Sequence, residues 1–250
     1  MPVDTATQID ETIDKLRAEF ERDPWINLHG YSLELRNEDN RLVMEGTLEN
    51  VAAKRRARVI AEGLASEHWT LDDRLRRQPT EPEGDRQIRD KVMDWLTTES
   101  MFREYTLGAI TEDKVETVQD AGPDSHEVIV EVADSVVTLK GTVASLTHRR
   151  FAEAVSWWCY GCENVENLIE VKPAQEDADD EISDAIRIVV EKDPMMDADQ
   201  FQIRTRDHVV ELQGLAATDL IKKYTVMDAW SVPGVWNVVD RIQIKGSEPV

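Results

Sequence analysis

Residues Val136 to Val171, VVTLKGTVASLTHRRFAEAVSWWCYGCENVENLIEV, return without a gap 73 residues later as Val209 to Ile244, VVELQGLAATDLIKKYTVMDAWSVPGVWNVVDRIQI. Ten of the 36 aligned pairs are identical, among them Leu139/Leu212, Gly141/Gly214, Trp157/Trp230, Gly161/Gly234 and Val165/Val238. A stretch that recurs over this length must build the same local structure twice. The 250 residues could make one large domain or several small ones, and the repeat decides for several.

The pattern extends to the rest of the chain. Ile9, Ile13, Leu16 and Phe20 recur at helical spacing, and Asp23-Pro24 closes that segment. Tyr31 to Leu35 and Leu42 to Leu48 alternate apolar and polar residues around Asn37-Glu38-Asp39-Asn40, which predicts a β-hairpin. A helix over about 51–65 and a strand over Trp69 to Leu75 complete the order helix, strand, strand, helix, strand. QPTEPEGD, at 78–85, has linker composition. The second unit then opens on Ile88, Val92, Trp95 and Leu96, makes a hairpin across Asp134-Ser135, and continues with a helix over Leu146 to Trp158 and a strand over Val165 to Val171. Between its first helix and its hairpin lie 21 additional residues, where Tyr105, Leu107 and Ala109 alternate as one more strand. A second acidic linker, PAQEDADD, precedes a third unit with the same order.

The expected fold class is therefore α+β: three tandem αββαβ two-layer domains, each a small mixed sheet with two helices on one face. Their expected bounds are 1–78 (divergent), 85–173 (with the insertion) and 178–246. The uncovered sheet faces are expected to be where domains pack on one another.

The spacing V-x-L-x-G-x-V, then basic residues and alanines in a helix, then G-x-x-N-V-x-N before an alternating strand, resembles the BON domain. The second unit carries it best, through Val137, Leu139, Gly141, Val143, Arg149, Ala152, Gly161, Val165 and Asn167. The third follows with Gly214, Gly234, Val235 and Val238, with Asp240 in place of the second asparagine. In the first, Gly46, Arg55 and Ala57 fit, whereas Ser66 to Thr70 lacks the glycine turn. The resemblance implies a non-enzymatic, stress-associated binding module of the kind met in osmotic-stress proteins, engaging phospholipid or protein, with no shared catalytic residues and no cofactor.

A net charge of −22 repels nucleic acid and anionic surfaces over most of the molecule. No run of residues is long and apolar enough for a transmembrane segment. The first residues lack the basic and apolar regions of a secretory signal, which points to a cytoplasmic protein, or a periplasmic one if a signal has been removed.

Four groups of residues are candidates for function. Lys54, Arg55, Arg56 and Arg58, then Arg149 and Arg150, then Lys222 and Lys223, recur in the first turns of each unit's second helix, where free backbone N–H groups favour phosphate. They form the candidate lipid- or anion-binding set, against the plain alternative of a solvated face paired with nearby acids. Trp25, Trp69, Trp158 and Trp236 have no tryptophan at the equivalent place in another unit, so they are candidates for packing between domains or for a partner site. Cys159 and Cys162 form C-Y-G-C, a remote redox alternative. They follow a helix instead of starting one and align with Val232 and Val235, which suits core residues. The five histidines, scattered over hairpins, loops and a helix start, receive no role. Acidic clusters at Asp177 to Glu181 and at Asp193, Asp197 and Asp199 could hold a cation, although DPMMDADQ lacks the spacing of a calcium loop. The leading expectation is a binding or scaffolding protein that engages a phospholipid membrane surface or a protein partner. The alternative partner is a monovalent or divalent cation, potassium or calcium.

Overall fold

A computed structural model describes residues 5–64, 70–112 and 114–246. The expected Trp69 and His68 lie outside these. The chain divides into two compact units, Met1–Gln78 and Pro79–Val250.

In the first unit, helix α1 (Thr5–Arg22) precedes strands β1 (Leu33–Glu38) and β2 (Arg41–Leu48), helix α2 (Val51–Gly63) and strand β3 (Thr70–Arg77). Strand β1 pairs antiparallel with β2, and β2 pairs parallel with β3. The helices bury Ile9, Leu16, Phe20 and the alanines Ala53, Ala57 and Ala61 against Leu42, Met44, Leu48 and Leu75.

The second unit holds two further copies of this plan. The first comprises α3 (Asp85–Thr98), β4 (Thr106–Thr111), β5 (Lys114–Gln119), β6 (Glu127–Ala133), β7 (Val136–Val143), α4 (Leu146–Trp158), β8 (Asn164–Asn167) and β9 (Glu170–Val171). The second comprises α5 (Asp179–Lys192), β10 (Phe201–Arg206), β11 (Val209–Ala216), α6 (Asp219–Ser231) and β12 (Asn237–Ile244). The last sheet has the order β10-β11-β12, with the same antiparallel and parallel pairings as the first. The architecture is mixed α+β, with three mixed sheets and six helices among the described residues.

The inserted residues supply two strands where the alternation showed one. Strand β4 lies parallel to β6, and β5 folds back on β4, extending the middle sheet to β5-β4-β6-β7-β8. The closing strand of that sheet is broken at Leu168, so the expected continuous strand becomes β8 and β9, both paired with β7.

The three copies share their hairpin geometry in detail. The turns Asp39-Asn40, Asp134-Ser135 and Asp207-His208 all have φ near 50° and 62°, the type I′ form whose twist matches paired strands. An acid at a helix start fastens two of these turns. Asp85 accepts from the Asp134 and Ser135 N–H groups, and Asp179 from those of Asp207 and His208. Those N–H donors hold the Asp179 carboxyl below the usual aspartate range, the His208 bond acting most.

Gly46, Gly141 and Gly214 occupy one position of the plan, with φ of +135°, +115° and +153°. A Cβ at each would stand 2.0–2.1 Å from a backbone carbonyl oxygen on the facing side of the hairpin, that of Ser32, Glu127 or Gln200. The recurrent glycine is therefore a steric demand of the hairpin. Gly46→Ala is expected to destabilise the first unit by about 3 kcal/mol in urea denaturation, because the colliding atom is backbone. Gly63→Ala, at a helical site with nothing within 4 Å, is expected to stabilise it by up to about 1 kcal/mol.

Candidate functional site

Each second helix starts at a capping side chain. Asn50, Ser145 and Thr218 accept from the N–H three residues on, at 3.0, 3.4 and 3.2 Å. These caps align the basic candidates: Lys54, Arg149 and Lys222 share one position of the plan, and Arg55, Arg150 and Lys223 share the next.

The first of these positions is turned toward the closing strand. Lys54 Nζ meets Asp73 Oδ2 at 3.2 Å, Arg149 Nη2 meets the Asn167 carbonyl at 3.5 Å, and Lys222 Nζ meets Asp240 Oδ2 at 3.0 Å and the Ile242 carbonyl at 2.7 Å. The strand residue it reaches is itself a repeated device. Oδ1 of Asp73, Asn167 and Asp240 accepts the N–H two residues on, from Leu75, Ile169 and Ile242, at 3.0, 3.2 and 2.9 Å. In the middle copy Asn167 also donates from Nδ2 to the Arg149 carbonyl and to Glu153. Burial pushes the Lys54 ammonium below the usual lysine range, with Asp73 opposing.

The second position differs between copies. Arg150 is 3 % exposed: its Nε donates to the Pro233 carbonyl at 3.0 Å, and its Nη2 pairs with Asp177. It stands where α4 crosses the third copy, so it fastens one copy to the next. Lys54 and Arg150 thus leave the set of cations expected to face an anionic surface, because burial and internal acceptors occupy them. Arg56 is spent on Asp23, with Nε at 3.0 Å and Nη2 at 2.7 Å, and Arg55 is half-buried. Arg58, paired with Glu62 one turn on, and Lys223 are exposed.

The second and third copies pack through α4 against α5 and α6, and the expectation of sheet-to-sheet packing is corrected. The outward sheet faces carry charge instead: Lys140 with Glu131, Arg241 with Glu211, and in the first unit Arg36 and Arg74 with Glu38, Glu45 and Asp72. Burying those groups would cost their hydration.

Trp158 lies in the helix joint, edge-on to Trp95 at 4.9 Å, and its Nε1–H donates to Asp228 Oδ1 at 3.0 Å. Lys192 pairs with the buried Glu99 at 2.6 Å, and Thr147 donates to Glu181 at 3.3 Å. Asp228 is 4 % exposed on α6, and its Oδ2 meets no protein N–H or O–H. Burial raises its carboxyl well above the usual range, and the neighbouring Asp193 carboxylate adds to this. Nothing in the apolar run VMDAW marked Asp228 in advance.

The remaining candidates fall elsewhere. Trp236, 47 % exposed, stacks on His208 of its own copy at 4.2 Å. Trp25 is half-buried beside Asp23, which accepts its backbone N–H. Cys159 and Cys162 are buried, like Val232 and Val235 at the equivalent positions. Asp177 and Asp179 are committed to Arg150 and the hairpin turn. Among the described residues no group of three or more His, Cys, Asp or Glu could hold a metal ion, and no helix is long and apolar enough to cross a membrane. In the insertion, Tyr105 stacks between His126 and His148, and its hydroxyl accepts the Ala144 N–H at 3.0 Å. That cluster has no repeat equivalent to signal it.

Comparison with known families matches the BON domain to residues 106–173 and 178–246. Comparison with curated proteins finds no match. Among solved structures, the chain is similar to the C-terminal domain of CdsD, the structural protein of the type III secretion system of Chlamydia trachomatis. The identity is 9 %, the coverage 93 % of this chain and 96 % of that one, and the TM-score 0.23. A second CdsD structure gives 10 % identity, 94 % and 91 % coverage, and a TM-score of 0.22.

Arg150→Met is expected to destabilise the 79–250 unit by about 2 kcal/mol, since it strands the Pro233 carbonyl and Asp177. Arg58→Ala should shift stability by less than about 0.5 kcal/mol. Urea denaturation distinguishes the two. Asp228 sets a sign for pH. The unfolded carboxyl ionises in the ordinary range while the folded one holds its proton to higher pH, so stability falls as pH rises through that window. Asp228→Asn, which keeps an acceptor for Trp158, should abolish that decline and melt higher than the parent at neutral pH.

Proposed function

Since the chain belongs to the BON domain family, we propose that it is a non-enzymatic binding or scaffolding protein of stress physiology whose three domains, 1–78, 85–173 and 178–246, engage protein partners through their helix layers. The observation that carries this reading is the fate of the recurrent cations. Lys54 and Arg150 are buried, and Arg149 and Lys222 reach the closing strands. Among the described residues, the large apolar side chains left exposed on a helix, Leu220 and Tyr224, both lie on α6. A chain of net charge −22 is also poorly suited to an anionic membrane.

Phospholipid attachment is the second reading, favoured by Arg58 and Lys223, which remain exposed on α2 and α6. Flotation with phosphatidylglycerol vesicles at physiological salt separates the two. The protein-binding reading expects the chain to stay unbound, while a photo-crosslinker at position 220 captures protein in host extract and one at Lys140 on the sheet face does not. Vesicle binding that weakens in the Arg58→Gln, Lys223→Gln double variant would establish the phospholipid reading in its place.

A further inference from the structure

The repeat shows what an open helix face in this fold is built to receive. On α4, the arc carrying Leu146, Thr147, Arg150, Phe151 and Ala154 is covered within the chain. Glu181 accepts from Thr147, Pro233 and Asp177 hold Arg150, and Phe102 leans on Phe151 with ring centroids 6.2 Å apart. The repeat offset places Asp219, Leu220, Lys223, Tyr224 and Met227 on the same arc of α6. Here Leu220 is 50 % exposed and Tyr224 40 % exposed, and Asp219 and Lys223 are exposed as well. Toward the C-terminal end of α6 the arc closes at Ser231, which is buried. The surface is thus about two turns of helix, apolar in the middle and charged of both signs at its edge.

We propose that this arc is where a second copy of the chain docks, through an antiparallel pair of α6 helices about a two-fold axis near Lys222. The inference rests on the protein-binding reading and names the partner. Two features select a second copy. The arc continues the helix layer through which the copies within one chain already associate, so the same packing chemistry extends outward. It is also self-complementary under a two-fold axis, as an isologous interface must be. With the axis near Lys222, Leu220 lies level with the partner's Tyr224 on both sides. Lys223 comes within side-chain reach of the partner's Asp219, at an axial offset of about 3 Å. Two chains of net charge −22 repel at long range, so association should tighten as salt is added.

Sedimentation equilibrium of the full chain, from micromolar to near-millimolar concentration, tests this. The expected result is a concentration-dependent dimer that strengthens with salt. Its dissociation constant should rise at least about tenfold in Leu220→Lys and in Tyr224→Glu, with melting curves showing that both exposed-site variants stay folded. Under mild oxidation Lys223→Cys should form an intermolecular disulfide, and Glu11→Cys on α1 should not. A monomer at every concentration would overturn the proposal, as would a dimer indifferent to both variants. If the purified chain is monomeric while a crosslinker at position 220 captures a different protein, this inference fails and the protein-binding reading stands. If neither occurs, both fail.

Discussion

The parallel pairing that closes each sheet depends on a cation of the second helix meeting an oxygen of the closing strand, a carboxylate in the first and third copies and the Asn167 carbonyl in the middle one. Parallel strands cannot be joined by a tight turn, so the closing strand must return by way of a helix and then find its register. In all three copies the helix supplies a basic residue in its second turn, and the strand supplies an Asp or Asn that binds its own backbone two residues on. The clasp ties helix position to strand position. A slip of one residue would part the cation from its acceptor and turn the apolar face outward.

Fixing the helix in this way determines what its next residue can do. Arg55, Arg150 and Lys223 follow the clasp directly, so all three project from the same place on the helix layer. In the middle copy that place is occupied by the turn of the following copy, and Arg150 reaches a carbonyl and a carboxylate there. The joint is polar to an unusual degree, with Arg150, Glu99, Asp228 and Trp158 all contributing. Buried polar groups of this sort narrow the permitted alignments more than they add stability.

Much of the fold was legible because the repeat is long and the strands alternate. The helix over Leu146 to Trp158 and the turns at Asp39-Asn40 and Asp134-Ser135 stand where periodicity puts them. The break at Leu168 was not legible. Asp73 and Asp240 make the same forward side-chain contact as Asn167 in strands that run on unbroken, so neither the alternation nor the repeat carries a sign of it. The second inserted strand was hidden because both of its faces meet solvent, leaving no burial to enforce a pattern. Among candidate residues, the recurrence of the cations was visible, but their destinations were not, since these lie on strands and turns remote in sequence. Asp228 was hidden for the opposite reason, as an acid inside an apolar helix has no motif around it.

The inserted hairpin also changes which strand ends the middle sheet. In the third copy the border is β10, whose Phe201 and Ile203 are buried core. In the middle copy that role passes to β5, where Val115 and Val118 are 50 % and 55 % exposed beside Lys114 and Glu116. An unpaired border of this kind invites other strands to add on, and interspersed charges are a common defence. The hairpin thus withdraws the apolar strand β6 from the rim and puts in its place one whose charges discourage amyloid-like stacking.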